Sequence, residues 1–90
     1  MSGYTLRFSE QAKEDIRAHK KTGNKSVLRK IILLLEELAK HPFAGTGKPE
    51  PLRHSLTGCW SRRINREHRI VYEVADNIIF ILSVKGHYEQ

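Results

Sequence analysis

Residues 25 to 38 read KSVLRKIILLLEEL, and no other stretch limits the possible folds of this chain so strongly. Val27, Leu28, Ile31, Ile32, Leu34, Leu35 and Leu38 recur at the three-and-four spacing of a helix face, and Asn24 stands where it can cap the first turn. A chain of 90 residues has room for one core and buries only about two-thirds of its unfolded surface. A helix this apolar must lie on that core, and the rest of the chain must supply the surface opposite it. Ile32 and Leu33 carry the stripe past what one sheet face needs to cover. The first reading is a thick core helix; the second is a helix that also contributes to a homodimer contact.

The flanking segments read as one more helix and a sheet. Tyr4, Leu6 and Phe8 alternate with Thr5 and Arg7, the period of a half-buried strand. Ser9 is placed to cap a helix running to about Lys21, with Ala12 and Ile16 on its apolar side; with so few large apolar residues, it is expected at the edge of the core. Thr22-Gly23-Asn24 separates the two helices, and His41-Pro42 ends the second, because a residue before proline avoids the α region. Prolines and glycines from Phe43 to Pro51 predict an ordered loop. Three strands follow, at roughly 59–66, 69–75 and 78–85, with turns near Glu67 and Asp76-Asn77. Helices grouped before hairpins predict an α+β fold with a mainly antiparallel, twisted sheet and both helices on one face, a single domain over residues 1–90.

Several functional classes fall away. The lone Cys59 cannot pair within the chain, and Met1 to Phe8 alternates where a signal peptide would form an apolar block. No apolar run is longer than the five residues of Ile78 to Leu82, a strand-sized length far short of a membrane span. A soluble cytoplasmic protein is expected, without a membrane partner. The acids are not clustered and the histidines lack ligand spacing, so neither metal nor cofactor is expected.

Charge supplies the functional lead. Of a formal net charge of +6, four units lie within residues 48–69, which hold Lys48, Arg53, Arg62, Arg63, Arg66 and Arg69 against Glu50 and Glu67. Arginine concentrated in this way suits a phosphate-bearing partner, because the guanidinium fork matches phosphate oxygens and counterion release drives association. A solvated charged surface is the plainer explanation of the same composition.

Strand parity divides these residues between two faces. Trp60, Ile64, Ile70, Tyr72, Val74, Phe80, Leu82 and Val84 are expected to point at the helices. Ser61, Arg63, Asn65, Arg69, Val71, Glu73, Ile79, Ile81, Ser83, Lys85 and, on an extended strand, His87 are expected on the other face. Arg62 falls among the core residues, which a bulge, a snorkelling edge position or a different register would each explain. Metal-free RNA cleavage needs a base for the ribose 2′-hydroxyl, an acid for the departing 5′-oxygen and positive charge for the phosphorane between them. Glu50, framed by Pro49 and Pro51, Arg69 and His87 supply one of each. His54 and His68 compete for the acid's role, and each residue has a plainer alternative: Glu50 as a salt-bridge partner, Arg69 as a hairpin anchor, His87 and Tyr88 as a frayed tail.

The run HPFAGTGKPEPLRHSLTGCWSRRINREHRIVYEV, residues 41–74, together with His87-Tyr88, resembles the YoeB (Txe) group of toxins in the RelE superfamily. The resemblance extends from the early strand to Tyr88. It implies a RelE-like microbial ribonuclease fold and the toxin of a type II toxin–antitoxin pair, a ribosome-dependent endoribonuclease that cuts mRNA in the A site and leaves a 2′,3′-cyclic phosphate. By position in the motifs, the family's base falls on Glu50, its transition-state arginine on Arg69, its acid on His87 and its adjacent aromatic on Tyr88. Its further RNA-binding groups fall on Lys48, Arg53 and Arg63. Ribosome and mRNA, a YefM-like antitoxin and a second copy of the chain are the implied partners. Two departures stand out: Glu89 and Gln90 follow the terminal pair, and Gly86 replaces an aromatic common in the family. The competing reading is a catalytically silent relative that binds RNA or acts as a co-repressor within an antitoxin complex.

Overall fold

A computed structural model describes residues 3–86. The chain runs through β1 (Thr5–Phe8), α1 (Glu10–Thr22), α2 (Lys25–Leu38), β2 (Glu50–Pro51), a single 3-10 turn (His54–Leu56), β3 (Cys59–Arg63), β4 (Arg69–Ala75) and β5 (Ile78–Ser83). Both helices begin where their caps predict. Ser9 Oγ accepts from the Ala12 amide at 3.0 Å, and Asn24 Oδ1 from the Val27 amide at 3.1 Å, each occupying an amide that has no partner within its helix.

The sheet order is β1-β5-β4-β3-β2. β1 runs parallel to β5, pairing Leu6 with Ile79 and Phe8 with Ile81, and every other neighbouring pair is antiparallel. The core brings Ala12 of α1 and Val27, Ile31, Leu34 and Leu38 of α2 against Ile64, Ile70, Tyr72, Ile79, Ile81 and Val84. The expected α+β class, with both helices on one face, is the fold observed. No helix among the described residues is long and apolar enough to cross a membrane. Ile32 and Leu33 remain 57% and 45% exposed, so the excess width of the α2 stripe faces outward.

Three expectations are corrected. Glu50–Pro51, assigned to the loop, forms a two-residue edge strand pairing Glu50 with Ser61 and Pro51 with Trp60; proline is tolerated there because an edge strand has an amide side that needs no partner. The third strand stops at Arg63, because Asn65 makes a turn instead, its Oδ1 accepting from the Glu67 and His68 amides. The phase of β5 is opposite to that expected: Ile79 and Ile81 lie in the core and Phe80 pairs with exposed Glu73. A register shift between Val71 and Tyr72, which pair with Ser83 and Ile81, skips Leu82 and returns Ser83 to the open face.

Arg62 is in register with Ile70, points into the helix side and is fully buried. It needs no bulge, edge position or change of register, because its guanidinium is surrounded by acceptors. Nη1 donates to Glu37 Oε1 at 3.3 Å and to the Thr46 carbonyl at 3.5 Å; Nη2 donates to the carbonyls of His41 and of Ala44, the latter at 2.7 Å. Glu37 in turn accepts from the Thr46 amide and hydroxyl, both at 2.8 Å, while the Tyr72 hydroxyl donates to the Pro42 carbonyl at 2.6 Å. The loop from His41 to Thr46 is therefore tied from beneath. The two Thr46 hydrogen bonds, with the Arg62 charge behind them, hold the Glu37 carboxyl below its usual pKa.

Candidate functional site

The site lies on the sheet face that the helices leave open. Glu50 of β2 sits opposite Ser61 of β3, Ser61 opposite Val71 of β4, and Val71 opposite Ser83 of β5. Directly opposite residues share a face, so this row forms a floor with the Glu50 carboxylate at one edge. Two residues further along β3, Arg63 pairs with Arg69 and places two guanidinium groups on the same face.

Arg69 Nη1 approaches Glu50 Oε1 at 3.9 Å, with the two side chains 24% and 53% exposed. That separation is an ion pair at the outer limit of contact and too long for a hydrogen bond, so neither group is committed to the other: the guanidinium can turn its donors to an anion, and the carboxylate can accept a hydrogen bond or a proton. Below them Ser61 Oγ is buried with no hydrogen-bonding partner among the described residues.

Glu50 reaches this place because the chain before it is fixed. The Gly47 carbonyl accepts from the Arg63 amide at 2.7 Å, and a Cβ on Gly47 would stand 2.8 Å from the Arg63 carbonyl oxygen. With φ at +87°, that position requires glycine on both counts. Lys48 follows at φ +51° and is exposed, two residues before Glu50. Arg53 is exposed just ahead of the 3-10 turn, alongside His54.

At the other end of the face, β4 holds the departing C-terminal segment. The Arg69 amide donates to the Gly86 carbonyl at 2.8 Å, and the Gly86 amide donates to His68 Nδ1 at 2.9 Å. His68 is stacked edge-on against His19 of α1, with ring centroids 4.7 Å apart. Burial, and then the neighbouring His19, lower the His68 pKa, with Lys85 adding to the fall and Glu67 and Asp15 opposing it. His68 thus uses its δ nitrogen as an acceptor within the fold. His87 and Tyr88 lie outside the described residues, as do Glu89 and Gln90.

The structure therefore brings together Glu50, Arg69 and Arg63, with Lys48 close behind Glu50 in the chain. Sequence reasoning missed Asp15 and His19, both buried on α1. Their signal was present: Ala12, Asp15 and His19 recur at the spacing of one face, an inward face that is polar where a core helix is usually apolar.

Two helices against one face of a five-stranded mixed sheet, with a basic opposite face, define the RelE-like class of small toxins. The chain belongs to the YoeB-like toxins of bacterial type II toxin–antitoxin systems, whose family model matches residues 8–88. Toxin YoeB of a Synechocystis strain is 51% identical over 67 residues, covering 74% of this chain and 78% of its own. A YoeB dimer from Staphylococcus aureus has a TM-score of 0.82 at 45% identity. A YoeB–YefM complex from the same organism has a TM-score of 0.81 at 46% identity. Each of these covers 94% of this chain and 98% of the solved one.

Proposed function

We propose that this toxin is a ribosome-dependent endoribonuclease that cuts mRNA in the A site by metal-free acid–base catalysis and so arrests translation in the cytoplasm. The observation that carries this reading is the convergence of the half-exposed Glu50 carboxylate and the Arg69 guanidinium, 3.9 Å apart on the open face.

Glu50 takes the proton of the ribose 2′-hydroxyl as its oxygen attacks the adjacent phosphorus. Arg69 neutralises the charge that gathers on the phosphorane oxygens, an interaction strongest in the transition state. His87 protonates the 5′-oxygen as its bond to phosphorus breaks, leaving a 2′,3′-cyclic phosphate on one fragment and a 5′-hydroxyl on the other. Lys48, Arg53 and Arg63 bind flanking phosphates, and Tyr88 stacks on a base, a contact worth about 1–3 kcal/mol in comparable cases. No step requires a metal. The ribosome's part is to splay the mRNA and hold the 2′-oxygen in line, the largest entropic term in such a reaction.

The partners follow the relatives. A YefM-like antitoxin segment covers the basic face and displaces RNA, and a second copy of the chain docks as the Staphylococcus aureus toxin does with itself.

Primer-extension mapping of mRNA in a translating extract tests the reading. The wild-type chain is expected to give cuts at A-site codons that persist in EDTA concentrations sparing the ribosome, and Glu50→Gln to reduce them about a hundredfold or more. Translation arrest without cuts, equal in wild type and Glu50→Gln, would instead mark a binding protein.

A further inference from the structure

The proposed mechanism leaves three polar side chains unused, and all three converge on residues 84–86. Asp15 Oδ2 accepts from the Val84 amide at 2.9 Å, and Asp15 Oδ1 is itself fixed by Gln11 Nε2 at 2.8 Å. His19 Nε2 donates to the Val84 carbonyl at 2.9 Å. His68 Nδ1 accepts from the Gly86 amide at 2.9 Å, and the Arg69 amide holds the Gly86 carbonyl at 2.8 Å. Asp15, His19 and Val84 are all at least 94% buried, so the two bonds to Val84 form out of competition with water, while the His68–Gly86 bond is part-buried.

Such an arrangement is far more than chain termination requires. β5 ends at Ser83, and a strand end usually leaves its next amides and carbonyls to solvent. Here both polar groups of Val84 and both of Gly86 are engaged, by side chains of α1, by His68 just before β4 and by the backbone of β4 itself. Gly86 has φ +77°, a conformation that sets the direction in which the chain leaves the sheet. The next residue in the sequence is His87, to which the proposed mechanism gives the general acid's role. The residue whose guanidinium meets Glu50 also holds, through its backbone, the point from which that acid departs.

We infer that His68, backed by Asp15 and His19, is a positioning residue: its Nδ1 fixes the Gly86 amide and so sets where the chain leaves the sheet beside Arg69, and cleavage depends on that hold. The inference rests on the reading of His87 as the acid. Its chemistry is nevertheless separate, because His68 exchanges no proton with RNA and acts solely as a hydrogen-bond acceptor. Asparagine places its Oδ1 near the position of a histidine Nδ1, whereas glutamine carries its polar group one bond further out, near Nε2. Replacing His68 by each therefore separates the acceptor's position from side-chain polarity.

Three full-length variants, His68→Asn, His68→Gln and His68→Leu, are compared in single-turnover cleavage of mRNA on programmed ribosomes and by amide exchange at Gly86. Misplacing a catalytic group by about 1 Å costs up to about a hundredfold, so His68→Gln and His68→Leu are expected to lose about ten- to a hundredfold in cleavage rate. The ribosome concentration giving half the maximal rate should stay unchanged. His68→Asn should recover most of the rate and keep the Gly86 amide protected, while the other two variants lose that protection. If leucine prevents folding, the asparagine and glutamine pair decides alone. Equal rates and equal protection in those two variants would overturn the inference. Absence of cleavage by the wild type, with the protection pattern as expected, would overturn the proposed function and leave the clamp standing.

Discussion

Arg62 and Arg69 carry the same guanidinium on the two faces of one sheet, and their surroundings could hardly differ more. Arg62 is fully buried and donates to one carboxylate and three carbonyls. Arg69 is about a quarter exposed and meets Glu50 only at 3.9 Å. A buried charge is tolerable when its donors are occupied, and an occupied fork has nothing left to offer a ligand. Arg62 is therefore committed to the fold and Arg69 is available to a phosphate. The two are nonetheless connected, because the loop that Arg62 ties down leads directly into Glu50.

Substitution separates the two roles. Arg69→Gln should lower ribosome-dependent cleavage about a thousandfold, in keeping with loss of a transition-state donor, while its thermal unfolding stays close to that of the wild type. Arg62→Met should do the reverse in the first instance. It leaves Glu37 and three loop carbonyls without their partner, and a loss of roughly 3–5 kcal/mol is expected in urea unfolding. If Arg62→Met keeps its stability while Arg69→Gln loses it, the division fails.

Gly47→Ala tests the connection between the two regions. The added Cβ meets the Arg63 carbonyl oxygen at 2.8 Å, at a φ of +87° that alanine disfavours, so a cost of about 1–3 kcal/mol is expected. Cleavage should fall further than stability accounts for, because the strain lies three residues before Glu50. A variant with unchanged cleavage at a temperature where it is fully folded would show that the loop does not set the carboxylate's position.

Acid provides the mildest probe. The folded-state pKa of Glu37 lies below its ordinary value of 4.5. Its stabilising contribution is therefore full above 4.5 and disappears as pH falls through the lowered folded value. Amide exchange at Thr46, whose amide Glu37 accepts, should accelerate over that window before the core amides respond. His68 has the same sign at higher pH: its lowered pKa means its contribution is complete above 6.5 and declines as pH falls from there through the folded value. Protection of the Gly86 amide should accordingly begin to weaken below pH 6.5, and that of Thr46 only below 4.5.

How far the sequence could be read depended on the range of each interaction. Both caps, both helices and the faces of β4 were legible, because a helix or strand writes its own period into neighbouring residues. The same rule placed Arg69 and Val71 on the open face and put Arg62, against expectation for its charge, on the core side. β5 was misread because Ile78-Ile79-Phe80-Ile81-Leu82 is apolar at every position, which leaves its phase degenerate. The edge strand at Glu50–Pro51 was missed because two residues carry no period.

The sequence by itself determined the class of fold, the concentration of positive charge and the toxin family, since each depends on patterns and motifs that survive without knowing which strands touch. Tertiary structure alone decided which strands pair, where β5 slips by one residue, what surrounds the Arg62 guanidinium and how Gly86 is gripped from α1. These are meetings between residues as many as 73 positions apart, as from Ser9 to Leu82. The energy of such contacts depends on distance and direction in space, which no local period encodes.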